Sequence, residues 1–261
     1  MLRSIKALRG YSILASDGEI GKVDDFYFHD DTWVIRYVVV DTGHWLPGRK
    51  VLLAPSVLGQ PNWAEENFPV ALTRDQVRHS PETDTNKPVS RQHEADLHDY
   101  YAWPYYWLEP SQPMWGPPPV PNFPVPAVPL PKNEGPARSA SSGDPHLQSA
   151  REVIGYQIQA SDGPLGHVGD FVAEDHLWVI RYLVVHSGHV LPRKKVLLSP
   201  RWLTEVSYLE QKVQVKLSRE KILSGPEFDP RAPVNREYEE RLYDYYGQPV
   251  YWANEELEKT K

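Results

Sequence analysis

The sequence predicts a mainly β protein: two small β-barrels in tandem, each followed by a short amphipathic helix and an aromatic tail. Three observations predict it. A gapless internal repeat covers most of the chain, its extended segments are β-branched and aromatic runs between turn signals, and nearly half of the 26 Pro lie between Pro104 and Pro136. Spread evenly, that much Pro would break most strands and helices, because Pro fixes φ and removes a backbone donor. Clustered, it marks a spacer between ordered segments.

The repeat fixes the organisation. Gly10 to Pro55 aligns with Gly155 to Pro200 without a gap, and about 60% of those positions are identical. The same offset of 145 residues (Gly10 to Gly155) carries Leu72-Thr73-Arg74-Asp75 onto Leu217-Ser218-Arg219-Glu220. It also carries Asp99-Tyr100-Tyr101 onto Asp244-Tyr245-Tyr246, and Tyr106-Trp107 onto Tyr251-Trp252. We read a first barrel over 1–86, its helix and tail over 87–107 and a Pro-rich linker over 108–150. A second barrel follows over 151–231, with its helix and tail over 232–261.

Within each copy, Ser16-Asp17-Gly18 and Ser161-Asp162-Gly163 are turn signals, since Gly supplies a positive φ between extended segments. Val23 to Phe28 and Trp33 to Val40 read as a hairpin, the second strand apolar enough to be buried on both faces. A turn centred between Asp30 and Asp31 sets Phe26 opposite Ile35 and Asp25 opposite Arg36. The second copy then sets Phe171 opposite Ile180 and Asp170 opposite Arg181. Further strands are expected at Lys50 to Leu53 and Pro69 to Leu72, with counterparts at Lys195 to Leu198 and Gln214 to Leu217. About six short strands per copy suit a barrel, whose closure removes exposed edges. Ser90 and Asn235 are N-cap types followed by Glu94 and Glu239, and apolar residues then recur at helical spacing until Pro104 and Pro249.

The bulk numbers remove several function classes. Lys and Arg total 28 against 35 Asp and Glu, a net charge of −7, whereas a protein that tracks phosphates needs a basic surface. No apolar run approaches the roughly 20 residues that span a bilayer. The start, MLRSIKALRG, has no signal-peptide apolar region, so the expectation is a soluble cytoplasmic protein. With no Cys there are no disulfides, thiolate nucleophiles or Cys-ligated zinc.

The motifs of catalysis are also missing. No G-x-S-x-G, Walker loop or G-x-G-x-x-G occurs, and no carboxylate pair stands out for acid–base work. His44 and His189 are kept in both copies, and His186 precedes His189 by three residues, but no third ligand follows in sequence to make a metal site. His93 and His98 are five apart, off the i, i+4 spacing that would share an ion. We therefore expect no enzyme, no catalytic or cofactor-binding residues and no metal.

The run DG-x-(I/L)-G-x-V, then W-V-I-R-Y-(V/L)-V-V, G-H-x-L-P and K-V-L-L-x-P resembles the PRC-barrel family. The residues are Asp17 to Val23, Trp33 to Val40, Gly43 to Pro47 and Lys50 to Pro55, with their counterparts in the second copy. PRC-barrels are small β-barrels, found in the cytoplasmic part of the photosynthetic reaction-centre H subunit, in a ribosome-maturation factor and in stand-alone prokaryotic proteins. The resemblance implies a binding and scaffolding module without catalytic residues. The expected function is a non-enzymatic cytoplasmic adaptor that binds protein partners through tandem PRC-barrels. The alternative is a reaction-centre-H-like accessory in photosynthetic electron transfer, peripheral to a membrane complex. Self-association and docking of the two barrels in cis are both open.

The candidate partner-binding residues are the aromatic tails, because Tyr and Trp dominate interface hot spots. They are Tyr100, Tyr101, Trp103, Tyr106 and Trp107 in the first copy and Tyr245, Tyr246, Tyr251 and Trp252 in the second, with Trp115 in the spacer. The competing reading packs each tail on a barrel too small to bury enough core alone. Asp25–Arg36 and Asp170–Arg181 are expected as structural cross-strand pairs worth roughly 0.2–1 kcal/mol. The spacer PSQPMWGPPPVPNFPVPAVPLP favours polyproline II and would reach roughly 70 Å fully extended.

Overall fold

The computed structural model describes residues 1–84, 89–108, 146–188 and 194–253. Much of the 108–150 linker, including Trp115, and His189 lie outside the described residues. The chain is mainly β, with two sheets.

In chain order the first copy forms β1 (Leu2–Ser4), α1 (Ile5–Leu8), β2 (Ser12–Ala15), β3 (Gly18–His29) and β4 (Ile35–Asp41). It continues with β5 (Lys50–Leu53), β6 (Asn67–Pro69), α2 (Arg74–Arg78) and α3 (Arg91–Tyr101). The second copy repeats them as β7 (Leu147–Ser149), α4 (Ala150–Val153), β8 (Gln157–Ala160), β9 (Gly163–Glu174) and β10 (Val179–His186). Then come β11 (Lys195–Leu198), β12 (Leu203–Ser207), β13 (Lys212–Val215), α5 (Arg219–Leu223) and α6 (Arg236–Tyr246). Of these, β12 has no counterpart among the strands of the first copy.

One sheet runs β5-β4-β3-β2-β6 with β7 on β3; the other runs β11-β10-β9-β8-β13-β12 with β1 on β9. The β2–β6 and β8–β13 pairs are parallel. Among the described pairings neither path closes into a ring, so the expected barrel closure is not seen as continuous hydrogen bonding. The edge strands β5 and β6 are only four and three residues long, and the chain leaves β5 through a 3-10 turn at Pro55–Val57.

The opening strands cross between copies. Leu2, Arg3 and Ser4 pair with Glu174, Ala173 and Val172, while β7 pairs with β3. The two compact units reflect this. Gly10–Gln148 form the first, and Met1–Arg9 with Ser149–Lys261 form the second.

The hairpin of each copy is longer and more irregular than a two-residue turn allows. His29 N–H donates to Val34 O at 2.9 Å, and Trp33 N–H donates back to His29 O at 2.7 Å. Trp33 and Trp178 adopt left-handed backbone at φ 59° and 52° to make these turns. The partners therefore shift: Phe26 faces Val38, Asp25 faces Val39, Phe171 faces Leu183 and Asp170 faces Val184. The register breaks at Arg36, between Tyr27↔Tyr37 and Phe28↔Ile35, and at Arg181, between Ile180↔Ala173 and Tyr182↔Val172. A bulge puts two residues opposite one and re-aims the extra side chain.

The expected cross-strand pairs are corrected accordingly. Arg181 pairs with Glu174, its Nε and Nη2 donating at 2.8 and 2.5 Å, and not with Asp170. Asp170 instead accepts from the Ser4 hydroxyl at 2.5 Å and from the Lys6 and Phe171 backbone N–H groups. Arg36, set off from Asp25 by the register, lies over the Tyr106 ring at 4.1 Å.

Local chemistry explains the rest. Gly21 and Gly166 are dictated by close approach, since a Cβ would sit 2.1 and 2.0 Å from the carbonyl oxygens of Asp41 and His186. Asp17 and Asp162 accept from the first backbone N–H of α2 and α5, both at 2.8 Å, so the turn signal also caps a helix. Residues from Val34 to Val40 are all buried, as expected of a strand covered on both faces. In the first unit one face carries a cluster of Tyr37, Val39, Leu52, Leu97, Trp103 and Tyr106. Ser90 and Asn235 cap α3 and α6, which end in left-handed residues Ala102 and Gly247, two positions before Pro104 and Pro249.

Candidate functional site

Glu94 and Glu239 stand near the start of α3 and α6, where a carboxylate suits the helix dipole. Both turn inward. Glu94 is 0% exposed and accepts from the hydroxyls of Tyr37 at 2.9 Å and Tyr106 at 2.5 Å. Glu239, 4% exposed, accepts from Tyr182 at 2.7 Å and Tyr251 at 2.9 Å. Arg91 and Arg236, one helical turn earlier, reach these carboxylates at 3.2 and 3.3 Å. A buried charge is tolerated only when paired and hydrogen-bonded, which this arrangement supplies. Because Tyr37 and Tyr182 belong to strands and Tyr106 and Tyr251 to tails, each carboxylate joins strand, helix and tail.

Cations reinforce the same clamp. Arg36 and Arg181 each stand 4.1 Å over the tail ring, of Tyr106 and Tyr251. Arg91 lies 4.6 Å over Trp107, and Arg236 lies 4.0 Å over Trp252. Burial, and then Glu94 for Tyr37 and Tyr243 and Glu239 for Tyr182, push the two hydroxyls well above the usual phenol range. Such phenols donate hydrogen bonds; they are poor bases and nucleophiles.

The tail residues are placed as follows. Trp103, Tyr106, Tyr246, Tyr251 and Trp252 are buried, while Tyr101, Trp107 and Tyr245 are half-buried. Tyr101 stacks on Trp103 with centroids 4.4 Å apart. Tyr100 is 41% exposed, yet its hydroxyl donates to Gln76 O at 2.8 Å. The surfaces proposed for partners are thus largely occupied within each unit.

His98 and Tyr243 mark a difference between copies. His98 is buried, with Nδ1 2.8 Å from Pro104 O and Nε2 2.9 Å from the Tyr37 hydroxyl. Burial lowers its pKa below the ordinary histidine value. Tyr243 fills the equivalent place with a ring against Trp202 and Trp252.

A surface cleft of about 630 Å³ opens in the first unit beside the β4–β5 loop, and its lining includes Glu19, Lys22, Asp41, His44, Trp45 and Arg74. The loop is held by Thr42, whose hydroxyl lies 2.8 Å from Leu46 O and 2.7 Å from Arg49 O. Trp45 is half-buried beneath Arg74, whose guanidinium carbon is 4.6 Å from the ring. Sequence reading passed over both this cleft and the clamp. The clamp did leave a signal, since Tyr37, Arg91 and Glu94 recur at the repeat offset as Tyr182, Arg236 and Glu239.

The opening part of this arrangement, with its turn, hairpin and K-V-L-L strand, matches a known domain family. Residues 2–57 match the PRC-barrel domain. No curated protein matches the chain. The PRC-barrel segment runs from β1 to the turn at Pro55–Val57, so it contains Trp45 and His44 of the cleft and Tyr37 of the clamp. It also contains β1, which belongs to the second unit. Among the described residues, no helix is long and apolar enough to cross a membrane.

Proposed function

We propose that the chain is a non-enzymatic cytoplasmic adaptor, built from two PRC-type barrels, that binds protein partners. The observation that carries this reading is the cleft beside Trp45. Trp45 lies within the PRC-barrel match, and the cleft combines its indole with the guanidinium of Arg74, side-chain types that dominate binding hot spots. The titratable groups of the clamp, by contrast, are occupied with holding helix and tail to the sheet. With two related modules in cis, a second binding event gains effective concentration through the spacer. The reaction-centre-H-like alternative rests on family resemblance alone.

Affinity purification from the native cell tests the proposal, comparing the wild-type chain with Trp45→Ala and Tyr100→Ala. Recovery of a specific protein partner should fall by about tenfold or more with Trp45→Ala, the loss expected of one hot-spot side chain. The melting temperature and the Tyr100→Ala recovery should stay unchanged. Equal recovery by the Trp45 variant would refute the cleft as the binding surface.

A further inference from the structure

We propose a divalent transition-metal site, of the zinc class, formed by His29, Asp30, Asp31 and His146 in the first unit. His29 ends β3, Asp30 and Asp31 lie in the turn that follows it, and His146 immediately precedes β7. The ligand atoms of His29, Asp30 and Asp31 all lie within 4.8 Å of one another. His146 Nδ1 is 2.9 Å from the Asp30 carboxylate and 3.5 Å from that of Asp31. Ligands about 2.0–2.2 Å from a tetrahedral ion sit roughly 3.3–3.6 Å apart, so the first three would draw together and the His146 ring, which lies outside their 4.8 Å group, would turn toward His29 to complete the set. The two imidazole rings already stack, with centroids 5.3 Å apart and planes 11° from parallel. Two imidazoles and two carboxylates form a donor set suited to zinc rather than to calcium or magnesium, which take oxygen ligands.

The second unit supplies an independent observation: a cation already occupies the equivalent place. At the repeat offset, Asp30 corresponds to Asp175, His29 to Glu174, Asp31 to His176 and His146 to Met1. There the Met1 amine contacts the Asp175 carboxylate, and the Arg3 guanidinium lies 3.6 Å from it. Glu174 is meanwhile paired with Arg181. In the first unit the residue matching Arg3 is the neutral Gln148 and the residue matching Met1 is His146, while each turn carries one imidazole and two carboxylates, His29-Asp30-Asp31 against Glu174-Asp175-His176. The first unit thus keeps the turn's imidazole and two carboxylates and replaces the Met1 amine and the Arg3 guanidinium with a metal-ligating imidazole at His146 and a neutral amide at Gln148. Asp30 N–H also donates to His146 O at 2.9 Å, so a bound ion would clip the strand β7 to the turn that precedes β4.

Isothermal titration of the full chain with zinc chloride tests this, alongside thermal melting with and without the metal. The expected result is saturable binding at one ion per chain and a raised melting temperature. Asp31 and His146 are 69% and 48% exposed, so Asp31→Asn and His146→Gln should retain the fold, which circular dichroism checks. Each should weaken zinc binding by about tenfold or more, and the thermal shift should disappear in the double variant. A His186→Gln control should bind as the wild type does. Absence of saturable binding would overturn the proposal, and so would unchanged affinity in the double variant, since the ion would then sit elsewhere.

Discussion

Glu239 illustrates what a single side chain carries in this protein. Its position at the start of α6 could be read from sequence as dipole compensation, but it is the shared acceptor of two buried phenols and lies beside Arg236. Removing one member of a buried charged network leaves the others unsatisfied, at a cost of about 3–5 kcal/mol. We expect Glu239→Ala to lower unfolding stability by that amount, whereas Glu237→Ala, on the exposed side of the same helix, should stay within about 0.5 kcal/mol. Urea unfolding followed by tryptophan fluorescence measures both. The arginines make the same point from the other side. Asp25–Arg36 and Asp170–Arg181 look complementary along an ideal hairpin, but bulges at Arg36 and Arg181 aim them toward the tail rings. A bulge costs one residue of register and leaves little local trace, so the partners could not be read from alternation alone.

Among the elements, β1 is the least conspicuous in sequence and among the most consequential. It is three residues long, followed at once by the four-residue α1. Ser4 accepts the α1 cap from Ala7 N–H at 3.1 Å and donates its own hydroxyl proton to Asp170. Burial raises the Asp170 pKa in spite of its three donors, so those hydrogen bonds offset only part of the desolvation cost. Deleting residues 1–9 should therefore expose the β9 edge. Hydrogen exchange should show lost protection across Val172 to Glu174, with β3 amides unchanged. Unaltered protection in β9 would mean that β1 contributes no stability there.

On the scale of the whole molecule, the chain path differs from the sequence copies. The first copy supplies β1 to the second sheet, and the second copy supplies β7 to the first. Cutting the chain at a protease site engineered within the Pro-rich spacer should leave the two fragments co-eluting on gel filtration under native conditions, because each holds a strand of the other's sheet. Fragments that elute separately would contradict the exchanged topology. The spacer then acts as a tether whose length sets effective concentration, rather than as the only connection between the copies.

The sequence by itself determined the repeat, the long hairpin and K-V-L-L strands of each copy, the helices α3 and α6 with their caps at Ser90 and Asn235, and the resemblance later matched at residues 2–57. These depend on local propensity, turn chemistry and side-chain period, all of which lie within a few residues of one another. Tertiary structure alone decided the bulged register, the burial of Glu94 and Glu239, the meeting of His146 with His29 and its neighbours, and the exchange of β1 and β7. The physical reason is symmetry as much as distance. Leu2–Ser4 and Leu147–Ser149 are equivalent by the repeat, so pairing within a copy or across copies offers closely similar ladders. Local signals cannot separate two such pairings; only the path of the connecting chain and the packing around each strand can.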